Sequence, residues 1–131
     1  MDLAQLNGAL HASFSKPADR ESQACFYVDV PHHACVRIIM LLGGRVARVD
    51  VANTQMRTAE GIRSGDAEEQ ASKMYGENLV VSSHKYEPDG HYFTVRSADG
   101  EFGTRFETKD GRIVRCYAGT VQAIELVEGC G

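Results

Sequence analysis

The sequence predicts an α+β fold, an antiparallel sheet of about seven or eight strands in meander order with one or two helices on one face. Three observations lead there. The β-rich runs ACVRIIMLL and RVARVDV are joined by Gly43-Gly44, a pair suited to a tight hairpin. Further runs NLVVSSHKY, HYFTVRS, EFGTRFET and RIVRCYAG are separated by PDG, ADG and KDG, each a turn with a glycine that tolerates the left-handed region. One short segment, DAEEQASKMYG, has helical spacing and helix-type ends. At 131 residues the chain is expected to form a single domain over 1–131, with repeats 1–60 and 61–131 as its internal division.

Taken in order, Leu3, Leu6, Leu10 and Phe14 fall at helical spacing over residues 2–14, with Asp2 as the cap. Residues 15–24 are polar, contain Pro17 and read as a connector. The run CFYVDVPHHAC then suggests two strands broken at Pro31, followed by the Gly43-Gly44 hairpin. In the helix over 66–76, Asp66 is the expected cap with Glu69 three residues on. Ala67, Ala71, Met74 and Tyr75 share one face, Glu68, Glu69 and Lys73 face water, and Gly76 ends it. After the meander, a last apolar run, VQAIELV, leads into EGCG.

Composition narrows the function. Hydrophobic residues make up 43% of the chain, enough for a core. Fourteen basic against eighteen acidic residues give a charge of −4, which argues against a nucleic-acid partner. No apolar run approaches the roughly 18 residues of a membrane span. The N-terminus has no basic start followed by an apolar block, so it is not a signal peptide as written. The cysteines favour a periplasmic or secreted protein whose leader is absent.

The four cysteines, Cys25, Cys35, Cys116 and Cys130, lack the close spacing of a zinc knuckle. Disulfides are the expectation, with free thiols and metal as alternatives. Cys25–Cys35 would clasp a hairpin and Cys116–Cys130 would tie down the end of the chain, each worth roughly 2–4 kcal/mol in the chain-entropy account.

GRVARVDVANTQ (44–55) and GRIVRCYAGTVQ (111–122) align without gaps at an offset of 67 residues. If the halves repeat, each is a helix followed by an antiparallel sheet. The lead-in Gly61, Gly65 and Asp66, a short helix ending Tyr75-Gly76, and the strands after it resemble the β-lactamase inhibitor protein and the small lipoproteins of outer-membrane assembly. GIRSGD…HKYEPDGHY is likewise similar to uncharacterised exported bacterial proteins. The resemblance covers 60 to 70 residues and implies an exported binding protein; it transfers no inhibitory residue.

The chemistry-bearing groups have plain structural readings. HKYEPDGHY places His84, Glu87, Asp89 and His91 around a turn, where His–carboxylate ligation of zinc competes with an ordinary hairpin. Adjacent His32 and His33 point to opposite sides of an extended segment, so shared ligation is disfavoured. A Cys–His nucleophile pair has the residue types but no recognisable signature. Paired glycosidase carboxylates cannot be located, and no phosphate-cradling glycine loop is present. Arg45, Arg48, Arg112 and Arg115 recur after equivalent turns. They are expected to be solvated strand arginines paired with acids, or two equivalent patches facing an acidic partner.

The expected function is a non-enzymatic, exported protein-binding module without cofactor, an inhibitor or immunity factor against a hydrolase being its sharpest form. Contact is expected at His32 and His33, at Glu87, Asp89 and His91, and at exposed Tyr86 and Tyr92. The alternative is a small-ligand or enzymatic domain with an apolar pocket between curved sheet and helices. A third option is a self-associating envelope protein; the oligomeric state is left open.

Overall fold

The computed structural model describes residues 1–30, 36–51 and 57–130. It contains one seven-stranded antiparallel sheet and a few short helices. The strands are β1 (Cys25–Asp29), β2 (Val36–Leu42), β3 (Arg45–Val51), β4 (Leu79–Ser83), β5 (His91–Arg96), β6 (Phe102–Lys109) and β7 (Arg112–Thr120), in the order β1-β2-β3-β7-β6-β5-β4. The helices are α1 (Leu3–Leu10), α2 (Arg20–Gln23), α3 (Glu68–Tyr75) and α4 (Val121–Ile124). Two meanders therefore meet at β3 and β7.

Strand alternation gives the sheet two different faces. A row of paired residues, Val28, Ile39, Val49, Ala118, Thr104, Val95 and Leu79, crosses all seven strands on the face that carries α1 and α3. The neighbouring row is Asp29, Ile38, Asp50, Tyr117, Arg105, Thr94 and Val80, on the opposite face. On the helix face, α1 buries Leu6 against Phe26, Val28, Ile39 and Leu41, and α3 buries Ala71 and Tyr75 against Phe93, Phe106 and Ile113. On the other, α4 and the tail after it bring Ala123, Leu126 and Cys130 onto Met40 and Ala47.

Local chemistry explains the helix ends. Asp2 Oδ1 accepts from Gln5 N–H at 2.8 Å and Asp2 N–H donates to Gln5 Oε1 at 2.9 Å, a reciprocal cap. The helix stops at Leu10 because His11 turns left-handed (φ 50°). Phe14 lies outside it but packs on the same cluster, held by Asn7 through hydrogen bonds of 2.8 and 3.0 Å. The expected connector contains α2, because Asp19 accepts from the Ser22 N–H at 3.1 Å. In α3 the cap residue is Ala67, not Asp66; Gln70 Oε1 accepts the Ala67 N–H at 2.9 Å, while Asp66 accepts from Arg63 N–H. Met74 is exposed rather than packed. VQAI forms α4 because Thr120 Oγ1 accepts the Ala123 N–H at 3.2 Å.

The disulfide pairing differs from the expectation. Cys25 is bonded to Cys130, with 5.3 Å between Cα atoms, and Cys116 is free. The register of β1 and β2 places Leu42, not Cys35, opposite Cys25, and Cys35 lies outside the described residues. Cys116 packs among the apolar residues beneath α3, while Cys130 returns across the other face.

Candidate functional site

Residues 57–66 build the wall of a cavity. Thr58 N–H donates to Ile62 O at 2.8 Å and Gly61 N–H to Thr58 O at 2.9 Å, so the chain doubles back on itself. Gly61 supplies the turn with φ 94°, a conformation side chains rarely adopt. Gly65 N–H then donates to Ile113 O at 2.7 Å, fastening the segment to β7. Ile62 is driven into the core beside Ala71 and Tyr75.

Between this segment, α3 and the sheet remains a cavity of about 320 Å³. Its floor is Val51, Ala118, Thr104, Val95 and Cys116, and its mouth carries Arg57, Thr58, Glu60, Arg63 and Ser64. Volume and lining suit a small organic molecule, an apolar body with a few polar groups at one end. The Tyr75 hydroxyl donates to Thr58 Oγ1 at 2.9 Å and lies 3.3 Å from Glu60 Oε2. Burial is the main influence holding the Tyr75 phenol above its ordinary range. Burial, and secondarily the charge of Asp50, pushes the Cys116 thiol up to about 12. Its thiolate is therefore scarce near neutral pH.

The opposite face carries a cluster of largely buried polar side chains beside the apolar contact of α4. Arg48, 4% exposed, grips Asp50 with two hydrogen bonds of 2.7 and 2.9 Å. Its guanidinium lies 3.6 Å from the Tyr117 ring centroid, a cation–π contact. Arg115 reaches Asp50 at 3.1 Å and Glu107 at 3.4 Å. His84 Nε2 lies 2.7 Å from Glu107, while its Nδ1 accepts the Tyr86 and Glu87 N–H groups at 3.1 Å. That pattern fixes the tautomer with the proton on Nε2 and makes His84 the organiser of the β4–β5 loop. Burial above all, then Glu107, pushes the Tyr117 phenol up.

The residues expected to meet a partner are scattered. Tyr86 is exposed and its hydroxyl touches Glu128 of the tail. Tyr92 is buried, which corrects its expected exposure: the His84 ring stacks on it at 4.5 Å and Arg105 lies 4.9 Å above it. Glu87 pairs with Lys109 at 3.6 Å, and the Asp89 carbonyl accepts the Asp110 N–H at 3.2 Å. His91 meets Glu68 at 2.9 Å, on the helix face and away from His84, so the zinc reading of this hairpin finds no shared site. No group of three or more His, Cys, Asp or Glu among the described residues could hold a metal ion. His32 and His33 lie outside the described residues. Arg48 and Arg115 do not form separate patches, because both converge on Asp50. The cavity lining at 57–64 escaped sequence reasoning; its only signal was the paired glycines Gly61 and Gly65.

No helix among the described residues is long and apolar enough to cross a membrane. No family model matches the chain, and no curated protein matches it. Among solved structures it is similar to an extracellular protein containing a SCP domain from Bacillus anthracis str. Ames, with a TM-score of 0.53 and 9% identity. The likeness covers 94% of this chain and 44% of that one, so the chain spans less than half of the neighbour's length. At this identity it speaks to the fold alone.

Proposed function

We propose that the protein is an exported, non-catalytic module that binds a small organic molecule in the cavity between α3, the 57–64 segment and the sheet. The observation that carries this reading is the cavity itself, with its apolar floor and polar mouth. Export is supported by the Cys25–Cys130 bond, which needs an oxidising compartment to persist. The Cys116 thiol, held protonated by burial, is not poised as a nucleophile, which favours binding over thiol-based turnover. The test is titration with the fluorescent apolar anion anilinonaphthalene sulfonate. Saturable, one-site enhancement is expected, and it should vanish in Ala118→Trp, which fills the floor from an exposed position. Absence of saturable binding to the folded protein would sink the proposal.

Protein binding, the inhibitory form included, is the second reading, and one observation favours it. The edge strand β4 leaves Val80 and Val81 exposed at 57% and 50%, without a charged residue in the strand. Such an edge can accept an added strand from a partner. In a pull-down from envelope extract, Val81→Lys should abolish capture of any genuine partner; undiminished capture would exclude the edge.

A further inference from the structure

Resting on the small-molecule reading, we infer that the ligand is an elongated single-chain amphiphile with an anionic head, of the alkyl carboxylate type. Two observations carry this. First, the cavity does not end at its own floor. A second, more open hollow of about 540 Å³ lies on the same face, lined by Val49, Arg96, Ser97, Phe102, Gly103 and Gly119. The two share Val95, Thr104 and Ala118 as a common wall. Those three are cross-strand neighbours in the row of paired residues that runs across the sheet. Together they form one trough over β3, β7, β6 and β5, between the part of the sheet that α1 covers and the part that α3 covers. A compact ligand would fill only one end; a chain can follow the row.

Second, the two ends of that trough differ in their cations: Arg96 at the far end is already paired with Glu125, whereas Arg57 at the mouth is not paired among the described residues. Arg57 and Arg63 stand at the mouth, where Glu60 is the one acid in the lining, two cations against one anion. Arg57 has no ion pair among the described residues, whereas Arg63 faces Asp66 at 3.9 Å. The guanidinium of Arg57 is thus the natural seat for a carboxylate. From there the chain runs past Val51 and Ala118 toward Phe102, which is 52% exposed.

Decanoate, 1-decanol and butanoate, titrated by calorimetry below any self-association, separate the components. Decanoate is expected to bind at one site. Butanoate should be weaker by well over a hundredfold, since each methylene buried contributes about a fourfold factor. Decanol should be weaker by about two- to fivefold, the worth of an exposed ion pair, and Arg57→Gln should weaken decanoate by the same factor while leaving decanol unchanged. Equal binding of decanol and decanoate would overturn the anionic head. Equal binding of butanoate and decanoate would overturn the elongated chain. If anilinonaphthalene sulfonate binds and decanoate does not, the ligand class is wrong while the cavity reading stands; if neither binds, both fail.

Discussion

The two hairpins at the centre of the sheet have the same geometry and different fates. In the first, Leu42 pairs Arg45, Leu41 pairs Val46, a bulge follows, and Met40 pairs Arg48. In the second, Lys109 pairs Arg112, Thr108 pairs Ile113, a bulge follows, and Glu107 pairs Arg115. Every position differs by 67. The helices match too, at an offset of 65. Asp2 bridges Arg45 as Ala67 bridges Arg112, and Met1 O accepts the Val46 N–H at 2.7 Å as Asp66 O accepts that of Ile113 at 2.9 Å. Asp50 and Tyr117, 67 apart, face each other where β3 meets β7, as a two-fold relation between the halves requires.

Yet at equivalent positions Arg48 is buried under the Tyr117 ring and Arg115 is half exposed. The backbone frame repeats, and the side chain that lies next to the frame decides the environment. The second half also adds β4, where the first half has only the connector and α2.

The largest expected effect comes from cutting what ties the halves together covalently. The Cys25–Cys130 bond closes a loop with a separation of 105 residues. In the chain-entropy account a loop of about 100 residues is worth about 4.7 kcal/mol, so Cys130→Ser should lower the unfolding free energy by a corresponding amount and raise the denaturant slope, because the unfolded chain is no longer held compact. A shift below about 1 kcal/mol would mean the tail face holds itself. Next, Arg48→Ala and Arg115→Ala measure how far equivalent arginines have diverged. Arg48→Ala removes the two short hydrogen bonds to buried Asp50, leaves it only the half-exposed Arg115, and should cost up to about 3–5 kcal/mol; Arg115→Ala should cost under about 1 kcal/mol. Equal losses would show the two sites to be energetically alike. The smallest effect probes the turns. Gly43 and Asp110 occupy the same hairpin position with φ 60° and 51°. Gly43→Asn should therefore be accepted, changing stability by no more than about 1 kcal/mol and in the stabilising direction. A clear loss by thermal denaturation would show that the first turn needs glycine for more than its backbone angle.

What was legible in the sequence was local. Gly43-Gly44 and Asp110-Gly111 announced their hairpins because left-handed turn residues act within four positions. The alternation of Tyr92 and Phe93 told which side chains share a face. It could not tell what covers that face, and Tyr92 is buried by Arg105 and His84 from neighbouring segments. The cysteine pairing failed for the same reason: two strands read alone put Cys35 near Cys25, while the actual partner arrives with the tail after the sheet is complete. The cavity was hidden because it is a gap between elements, walled by the aperiodic segment 57–64 rather than by a patterned one.

The Cys25–Cys130 bond also sets how the protein would respond to being pulled. A load applied on the two sides of that bond passes through the sulfur atoms, since all the backbone from 26 to 129 lies inside the closed loop. The sheet and the trough on it would stay slack under tension, while α1 and α2, outside the loop, would be peeled away first.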